Sequence, residues 1–408
     1  MKKNSRVEIV ISGIGITSAI GQGKDAFLSG LMQAQNAFGV MKRPGRQKES
    51  SFIGAEIPQL SPSESLSKRL LRSASFSGQA AMITLLEAWK DARLDSVDPM
   101  RIGLIIGGSN VQQRELVLTY ESYHDRIQYI RPTYALSFMD SDLCGLCTEQ
   151  FGIKGLANTI GGASASGQLA VIRAAQAVQT GQVDICIAMG ALMDISYMEC
   201  HAFRGLGAMG TDKFSNEPAA ACRPFDKNRD GFIYGEACGV VVVERASTAE
   251  NRNIQPYAEI PGWAVIMDAN KNPNPSYEGE LYVVKKAMAE ANLTAGEIDY
   301  INPHGTGSAV GDETELSVIG ECQFSNAYIN ATKSITGHGL SAAGAVEVIA
   351  TLLQMKEQKL HPTRNLEDPV QPNFHWVREK PVSHEIKHAL SLSMGFGGIN
   401  TAICLTKY

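Results

Sequence analysis

The feature that most constrains the fold is a set of short apolar runs, rich in β-branched residues and closed by glycine or other turn residues. The clearest runs cover residues 7–11, 102–106, 183–189 and 240–243. A strand with one solvated face alternates apolar and polar residues, whereas a strand covered on both faces is apolar nearly throughout. Many of the 39 glycines stand at the ends of such runs, where tight strand-to-helix turns need them. These runs therefore predict a sheet that is buried on both faces.

Helical segments lie among and after these predicted strands. Residues 166–180, 280–291 and 342–356 carry apolar side chains at helical spacing, and the first segment ends at Gly181. Strands that alternate with helices are typical of α/β proteins with doubly wound layers.

A boundary near residue 250 is predicted from two polar, proline-bearing stretches at residues 251–256 and 270–275. It divides the chain into one half at residues 1–250 and another at residues 251–408. Each half has its own alternation of strands and helices. No repeat in residue identity relates the halves, so the residues alone leave a duplicated architecture open.

Composition excludes several classes of function. The 408 residues carry 37 basic and 42 acidic side chains, and this net charge of −5 excludes a generally basic nucleic-acid-binding surface. No segment reaches the roughly 18 consecutive apolar residues of a membrane helix. Glu8 interrupts the apolar run after the basic residues 1–6, so no signal peptide is predicted. The eight cysteines lie mostly in apolar stretches, and we expect a reducing compartment, the cytoplasm.

Two short motifs are assigned to structure and not to chemistry. Gly13-Ile14-Gly15 lacks the third glycine of a dinucleotide-binding loop, because Ser18 occupies that position, and a tight turn is the better interpretation. Cys144 and Cys147 have the spacing of a redox pair or of half a zinc site, but no second pair stands nearby to complete four ligands. We interpret them as buried cysteines of a helix and predict no metal site.

A segment of small residues at 161–167 leads directly into the first predicted helix. A side chain at that junction lies beside a helix N-terminus, where free N–H groups and the helix dipole favour developing negative charge. An N-cap serine with close packing is the structural alternative.

Two further glycine-rich loops each present a histidine ahead of a helix. His304 lies in residues 302–308, which Asp312 and Glu315 follow, and His338 ends residues 332–338. One such histidine is usually structural, but two in similar loops favour a functional site. Near the end of the chain, Phe396 stands among small residues whose backbone N–H groups can approach a ligand.

Together these segments resemble the β-ketoacyl synthases of the thiolase superfamily, in the family's order and over nearly the whole chain. The matching motifs are residues 9–15, residues 223–232, His304-Gly305-Thr306, Thr332-Lys333 with Thr336-Gly337-His338, and Gly395-Phe396-Gly397-Gly398. The resemblance implies an α/β fold with a thiolase-like five-layered αβαβα core, made of two fused βαβαβ halves and usually dimeric. It also implies an acyl-carrier-protein thioester as substrate, so the phosphopantetheine arm enters with the substrate and no further cofactor is expected.

The resemblance assigns roles to residues of the second half. His304 and His338 match the two family histidines that bind the thioester carbonyl. Lys333 matches the lysine that supports them, and Glu347 matches its carboxylate partner. Phe396 matches the phenylalanine that gates the pocket, and its backbone N–H is implied to join that of residue 164 in an oxyanion hole. Thr306 and Ser308, which follow His304, are implied to be supporting residues of the site. Ser308 replaces a threonine of the family that commonly touches the pantetheine arm.

The chain departs from the family at the nucleophile. The family's cysteine is followed by a small residue and then Ser or Thr, which places it at Ser164 in Ser164-Ala165-Ser166-Gly167. A helix N-terminus makes a thiolate accessible by lowering a cysteine pKa from about 8.5, but a serine hydroxyl is a far weaker acid. The family pattern also offers Ser164 no obvious base, because both histidines face the malonyl group. Decarboxylation needs only donors that stabilise an enolate, each worth on the order of 2.7–4 kcal/mol, and both histidines are kept.

We therefore expect a decarboxylase that converts malonyl-acyl-carrier protein to acetyl-acyl-carrier protein without acyl transfer or condensation, with solvent protonating the enolate. This resembles chain-initiating domains with glutamine at the nucleophile position, and free-standing serine variants of polyketide β-branching cassettes. The free-standing length and the serine favour the second branch, and with it antibiotic-type polyketide biosynthesis and its enzymes as partners.

Two other functions stay open. A Ser-dependent acyltransferase or condensing enzyme would use Ser164 as a nucleophile and form an acyl-serine. A non-catalytic partner subunit, like the chain-length factors of heterodimeric synthases, would only bind, and retention of both histidines argues against it.

Carrier proteins are acidic, so we expect a basic docking surface despite the negative net charge. Lys68, Arg69 and Arg72 form one cluster, and Arg204 lies in a segment that resembles the pocket entrance. A solvated charged face is the alternative explanation.

Overall fold

The computed structural model describes residues 7–408, so the basic residues 1–6 lie outside the described part of the chain. The strands are β1 Ile9–Ser18, β2 Gly21–Gln22, β3 Phe38–Val40, β4 Ile53–Ala55, β5 Ile102–Gly107, β6 Ala157–Ile160, β7 Ile185–Gly190, β8 Tyr234–Gly235, β9 Ala237–Arg245, β10 Ala258–Met267, β11 Tyr300–Asn302, β12 Tyr328–Ile329, β13 Lys359–Leu360, β14 His375–Trp376, β15 Val382–Ser383, β16 His388–Gly395 and β17 Ile399–Lys407. The helices are α1 Lys24–Met32, α2 Lys68–Ser73, α3 Phe76–Asp91, α4 Gln113–Tyr123, α5 Tyr134–Ser137, α6 Ser141–Phe151, α7 Ser166–Gln179, α8 Tyr197–Gly205, α9 Ala246–Asn251, α10 Tyr277–Ala291, α11 Ala309–Cys322, α12 Lys333–Thr336 and α13 Ala343–Glu357.

The main sheet contains the same five-strand arrangement twice. The first half is ordered β1-β9-β7-β5-β6 and the second β10-β17-β16-β11-β12. In both halves the first two pairings are antiparallel and the last two are parallel. β1 and β10 pair with each other where the halves meet. The duplicated architecture that the residues alone left open is therefore present.

Alternate residues of these strands pack against different helices, which produces five layers. On β9, Val240 and Val242 pack with α3, whereas Val241 and Val243 pack with α7 and α13. On β16, the neighbours of Ala389 are likewise α7 and α13, and the opposite face of the strand packs against α10 and α11. The order α3, sheet, α7 with α13, sheet, α10 with α11 confirms the predicted thiolase-like αβαβα core. It also explains why the strands are apolar on both faces.

The tight turn predicted at Gly13-Ile14-Gly15 is wrong, because β1 continues through these residues to Ser18. Both glycines lie under α3. A Cβ on Gly15 would be 2.1 Å from the Thr84 carbonyl oxygen, and one on Gly13 would be 2.7 Å from Ala92 Cβ. The glycines therefore allow a helix to lie directly on a strand, and do not reverse the chain.

The boundary predicted near residue 250 falls where α9 ends at Asn251 and before β10 begins at Ala258. The main sheet runs across this connection, because β10 pairs with both β1 and β17. The division into residues 1–250 and 251–408 stays a prediction, since the two halves share one sheet.

Cys144 and Cys147 lie on α6 and are buried, as predicted. Burial raises the pKa of the Cys147 thiol well above its usual value. Within residues 7–408, no group of three or more His, Cys, Asp or Glu side chains is arranged to hold a metal ion. No helix in the same part of the chain has the length and apolarity required to cross a membrane.

Candidate active site

Ser164 lies in a short 3₁₀ turn, Ala163–Ala165, which leads directly into α7. Ala163 adopts a left-handed backbone conformation with a φ of 46°. The buried Ser166 side chain holds the turn, because its Oγ accepts from the Gly162 N–H at 2.9 Å and donates to the Ala163 carbonyl at 2.7 Å. The turn leaves the Ser164 side chain half-buried at the edge of a cavity.

The two predicted histidines meet at this cavity from different loops of the second half. The rings of His304 and His338 are 5.5 Å apart and nearly perpendicular. Phe232 packs edge-on against His338, with ring centroids 5.2 Å apart. The His338 Nε2 lies 3.0 Å from the Ser164 Oγ.

Lys333 lies behind His304, away from the cavity opening. Its ammonium group donates to the His304 carbonyl, lies 3.3 Å from the His304 Nδ1 and forms an ion pair with Glu347. An ammonium group can only donate, so the Nδ1 accepts and the ring proton belongs on Nε2. Burial raises the pKa of Glu347 to about 7, although Lys333 opposes this effect. Lys333 thereby fixes His304 as a donor through its other nitrogen.

Both histidines are held in the neutral form. Burial lowers the pKa of His304 well below its ordinary value, and the charge of Lys333 and the neighbouring His338 lower it further. Burial and Lys333 lower the pKa of His338 in the same way. The His338 Nδ1 has no hydrogen-bond partner among the described residues. A neutral imidazole can donate one hydrogen bond without carrying a charge into the cavity.

Two carboxylates of α11 hold the loop that carries His304. Glu315 accepts from the His304 N–H at 2.6 Å and from the Gly305 N–H at 2.8 Å. Asp312 accepts from the Gly307 N–H at 3.0 Å and from the Phe225 N–H at 2.7 Å. Burial raises the pKa of Glu315 to about 8 and that of Asp312 to about 6. Both acids follow the loop closely in sequence, but their role in holding it was not predicted.

A cavity of about 260 Å³ brings most of the predicted site residues together. Its lining includes Ser164, His304, Thr306, Ser308, His338 and Phe396. Ser308 also caps α11, since its Oγ accepts from the Gly311 N–H at 3.2 Å. Lys333 and Glu347 are buried behind the histidines and do not line this cavity.

Phe396 lies at the rim, 39% exposed, with its ring 6.3 Å from that of Phe203. Gly395, the residue before Phe396, lets the end of β16 approach the backbone of the Ser164 turn closely. A Cβ on Gly395 would be 2.2 Å from the Gly162 carbonyl oxygen and 3.1 Å from the Ala165 nitrogen. This contact places the segment that begins at Phe396 beside the Ser164 turn, as an oxyanion hole requires. The roles of the gate and of the oxyanion hole stay predictions.

Four polar residues of the cavity wall were not predicted as site residues, namely Asp268, Asn274, Glu280 and Asn400. Asn400 donates to the Asp268 carboxylate at 2.8 Å. Glu280 is buried on α10. Asn400 closely follows the Gly395–Gly398 motif and Asn274 lies in the polar stretch at residues 270–275, but neither was linked to the cavity, because only the fold shows which residues line it.

Comparisons with known proteins agree with this geometry. The profile of the "Beta-ketoacyl synthase, N-terminal domain" matches residues 6–249, and that of the "Beta-ketoacyl synthase, C-terminal domain" matches residues 257–367. The chain is 62% identical over 405 residues to the "Polyketide biosynthesis malonyl-ACP decarboxylase PksF" of Bacillus subtilis, which covers 99% of this chain and 98% of that protein.

Solved structures of the same fold cover nearly the whole chain. "The ishigamide ketosynthase/chain length factor" superimposes with a TM-score of 0.89 at 24% identity and covers 99% of this chain and 100% of that one. A type II polyketide ketosynthase in complex with its acyl-carrier protein superimposes with a TM-score of 0.87 at 25% identity and the same coverage. With both domain profiles matched in order and a relative of high identity over its full length, the chain belongs to the β-ketoacyl synthase family.

Proposed function

We propose that this protein is a malonyl-acyl-carrier-protein decarboxylase of polyketide biosynthesis, which releases acetyl-acyl-carrier protein and CO₂. The observation that carries the proposal is the pair of neutral histidines facing a cavity in which a serine occupies the nucleophile position. The relative named as a malonyl-ACP decarboxylase, 62% identical over its whole length, supports the same activity.

In the proposed reaction the bond between C2 and the malonyl carboxylate breaks. The carboxylate leaves as CO₂, and the electron pair moves into the thioester to give an enolate. His304 donates through Nε2 to the developing enolate oxygen, since Lys333 occupies the side of Nδ1. His338 supplies a second neutral donor when its Nε2 carries the proton. Proton transfer to C2 then gives the acetyl group.

The Ser164–His338 contact of 3.0 Å is the one observation that favours a Ser-dependent acyltransferase. The sequence predicts no obvious base for Ser164, so this contact differs from that expectation. A serine nucleophile needs a base that accepts its proton and a third group that orients the base. Burial lowers the pKa of His338, and its Nδ1 has no such partner among the described residues. Ser164 and His338 therefore resemble a catalytic triad that lacks its third member, and decarboxylation stays the proposed activity.

Mass spectrometry of malonyl-carrier protein incubated with the purified protein tests the proposal. We expect the carrier-bound group to lose the mass of CO₂, and His304→Ala or His338→Ala to reduce the rate by at least about a hundredfold, because each enolate donor contributes on the order of 2.7–4 kcal/mol. His375→Ala is the matched control, since His375 is exposed on β14. A malonyl or acetyl adduct on Ser164 would favour the acyltransferase, and no conversion by the unaltered protein would favour a non-catalytic chain-length-factor-like subunit.

We propose that the carrier protein docks on the first half, at the basic cluster Lys68, Arg69 and Arg72. All three side chains are exposed on α2, and Arg69 is paired with Glu149. Lys68 and Arg72 are four residues apart and thus share one face of the helix. Arg204 adjoins Phe203 of the cavity wall, but Asp212 pairs with it at 3.0 Å, so it is less available to a partner.

A homodimer is proposed from an open sheet edge and the apolar segment beside it. β6 pairs only with β5 and is partly exposed, so its other edge is free within the described chain. The segment that precedes Asp140 adjoins β6, because the Thr159 hydroxyl donates to the Asp140 carbonyl at 2.8 Å. Six large apolar side chains of this segment are exposed, namely Tyr120, Ile127, Tyr129, Leu136, Phe138 and Met139. Sedimentation analysis is expected to give a dimer that Leu136→Asp with Phe138→Asp converts to monomer, whereas Met100→Asp leaves it intact.

We place the reaction in the cytoplasm, in keeping with eight cysteines that are all free thiols.

A further inference from the structure

Glu280 is a buried acid in the cavity wall that the reaction described above does not use. It lies in the first turn of α10, is 2% exposed and borders the same cavity as Ser164 and the two histidines. Its Oε2 has no hydrogen-bond partner among the described residues. Buried carboxyl oxygens are normally satisfied by hydrogen bonds, so an unpartnered one beside a cavity points to a ligand or a transferred proton.

The surroundings of Glu280 favour the protonated acid. Burial raises its pKa well above the ordinary value, and the nearby carboxylates of Glu315 and Asp268 raise it further. The N-terminus of α10 acts in the opposite direction, because it stabilises a negative charge. That effect is small beside the cost of burying a carboxylate that pairs with no cation within residues 7–408.

The other polar groups of the cavity are poor proton donors to carbon. Both histidines are neutral and are needed at the enolate oxygen. Lys333 is engaged with His304 and Glu347 behind the cavity. Both oxygens of Glu315 and both oxygens of Asp312 accept backbone N–H groups, so neither side chain has an oxygen free of hydrogen bonds from which to deliver a proton. Glu280 is the remaining side chain of the lining that combines burial, an unpartnered oxygen and a transferable proton.

We propose that Glu280 is the proton donor that completes the reaction, delivering its proton to C2 of the enolate in the cavity. This inference rests on the proposed decarboxylation. The C–C bond breaks and CO₂ leaves; the enolate then takes the proton at C2, and the acetyl thioester and the Glu280 carboxylate form. Solvent returns one proton to the carboxylate, so the overall reaction consumes malonyl-carrier protein and one proton.

The test uses the variant Glu280→Gln, which keeps the size of the side chain and removes the acidic proton. Malonyl-carrier protein is converted in an equal mixture of H₂O and D₂O, and the deuterium content of the acetyl group is measured by mass. A carboxylic acid and bulk water discriminate differently between the isotopes, so we expect the acetyl deuterium content of the variant to shift. We also expect kcat to fall by roughly tenfold or more, as for the loss of a general acid.

Glu278→Gln is the matched control, because Glu278 lies in the same helical turn and is exposed. The deuterium content of the acetyl group decides whether Glu280 is the proton donor. An unchanged value in Glu280→Gln overturns the inference, including when the rate falls, because the residue would then only position other groups. A thermal melt within the error of the unaltered protein shows that the variant is folded, and Glu280→Leu, which also lacks an acidic proton, serves as the second variant if it is not. If the unaltered protein yields no acetyl-carrier protein, the proposed function fails instead.

Discussion

The two halves of the molecule have the same strand order but contribute differently to the site. In each half a short turn precedes the central helix, which is α7 in the first half and α13 in the second. The first residue of each turn has a left-handed backbone conformation, with a φ of 46° at Ala163 and 49° at Leu340. The second residue of each turn is a serine. Ser164 faces the cavity near His338, whereas Ser341 is 2% exposed and donates to the Ala191 carbonyl at 2.8 Å.

This difference shows that the duplicated scaffold does not by itself make an active site. Both turns begin with a left-handed residue, yet only the serine of the first lines the cavity, whereas the second contributes Leu340 to its wall. The second half instead supplies the loops with His304 and His338 and the buried ion pair behind them. The site therefore needs a helix junction from one half and the loops of the other. The following variants test this division of roles.

Removing the charge behind the histidines is expected to have the largest effect. Lys333→Met leaves the buried Glu347 unpaired, and we expect the free energy of unfolding to fall by about 3–5 kcal/mol. Activity should fall as well, because His304 loses the donor that fixes its proton. Chemical denaturation and the decarboxylation assay measure the two effects.

The double variant Lys333→Met with Glu347→Leu separates the effect on stability from the effect on activity. It removes the unpaired carboxylate, so stability should recover while activity stays low. Recovery of activity along with stability would show that Lys333 acts only through folding.

Disturbing the close contact between the central helices α7 and α13 is expected to have the second largest effect. A Cβ on Gly167 would lie 2.7 Å from the Ala345 nitrogen, and one on Gly344 would lie 2.7 Å from the Gln168 nitrogen. We expect Gly167→Ala to cost about 1–3 kcal/mol of unfolding free energy, because backbone must move to make room. Gly145→Ala in α6, where nothing lies within 4 Å, is the control and should be neutral or slightly stabilising. Equal stability of the two variants would contradict the close crossing.

Substituting the two equivalent serines compares the junctions directly. Ser341→Ala loses a buried hydrogen bond and should cost about 1 kcal/mol of unfolding free energy. Ser164→Ala should change stability by less than about 0.5 kcal/mol. It should keep decarboxylation within roughly threefold, which corresponds to about 0.6 kcal/mol in the barrier. Complete loss of activity in Ser164→Ala would show that the hydroxyl takes part in the chemistry.

Reversing the docking charges is expected to have the smallest effect. Lys68→Glu with Arg72→Glu should raise the KM for carrier protein several-fold and leave kcat near normal, since charges at the rim of an interface act mainly on association. Lys359→Glu with Lys380→Glu places the same change on exposed residues of the second half and should leave KM unaltered. A similar rise in both variants would mean that net charge, and not a surface of the first half, attracts the carrier.

Much of the fold could be predicted from the sequence because buried strands and amphipathic helices leave strong local patterns. The runs at residues 102–106 and 240–243 became β5 and β9, and the segment at 342–356 became α13. The five layers came from the family resemblance, because layer order depends on contacts between residues far apart in sequence. Gly13 and Gly15 were misinterpreted for the same reason, since a turn and a helix lying on a strand both require glycine.

The site shows the same limit. His304, His338 and Lys333 stand in glycine-rich motifs and could be found from the sequence. The Ser164–His338 contact joins residues 174 positions apart and was not predicted. Glu280 was missed because a glutamate in the first turn of a helix is ordinarily a solvated residue that complements the dipole. Its burial follows only from how α10 is placed against the cavity.

The burial of the native thiols makes Ser164→Cys a selective chemical probe. Seven of the eight cysteines are buried and Cys322 is half-buried. Burial raises the pKa of Cys186, Cys222 and Cys404 to about 12, so these thiols are protonated and shielded from alkylating reagents. A cysteine at position 164 would stand at an open cavity beside a helix N-terminus. Iodoacetamide should label that position first, and protection from labelling would report when the pantetheine arm occupies the cavity.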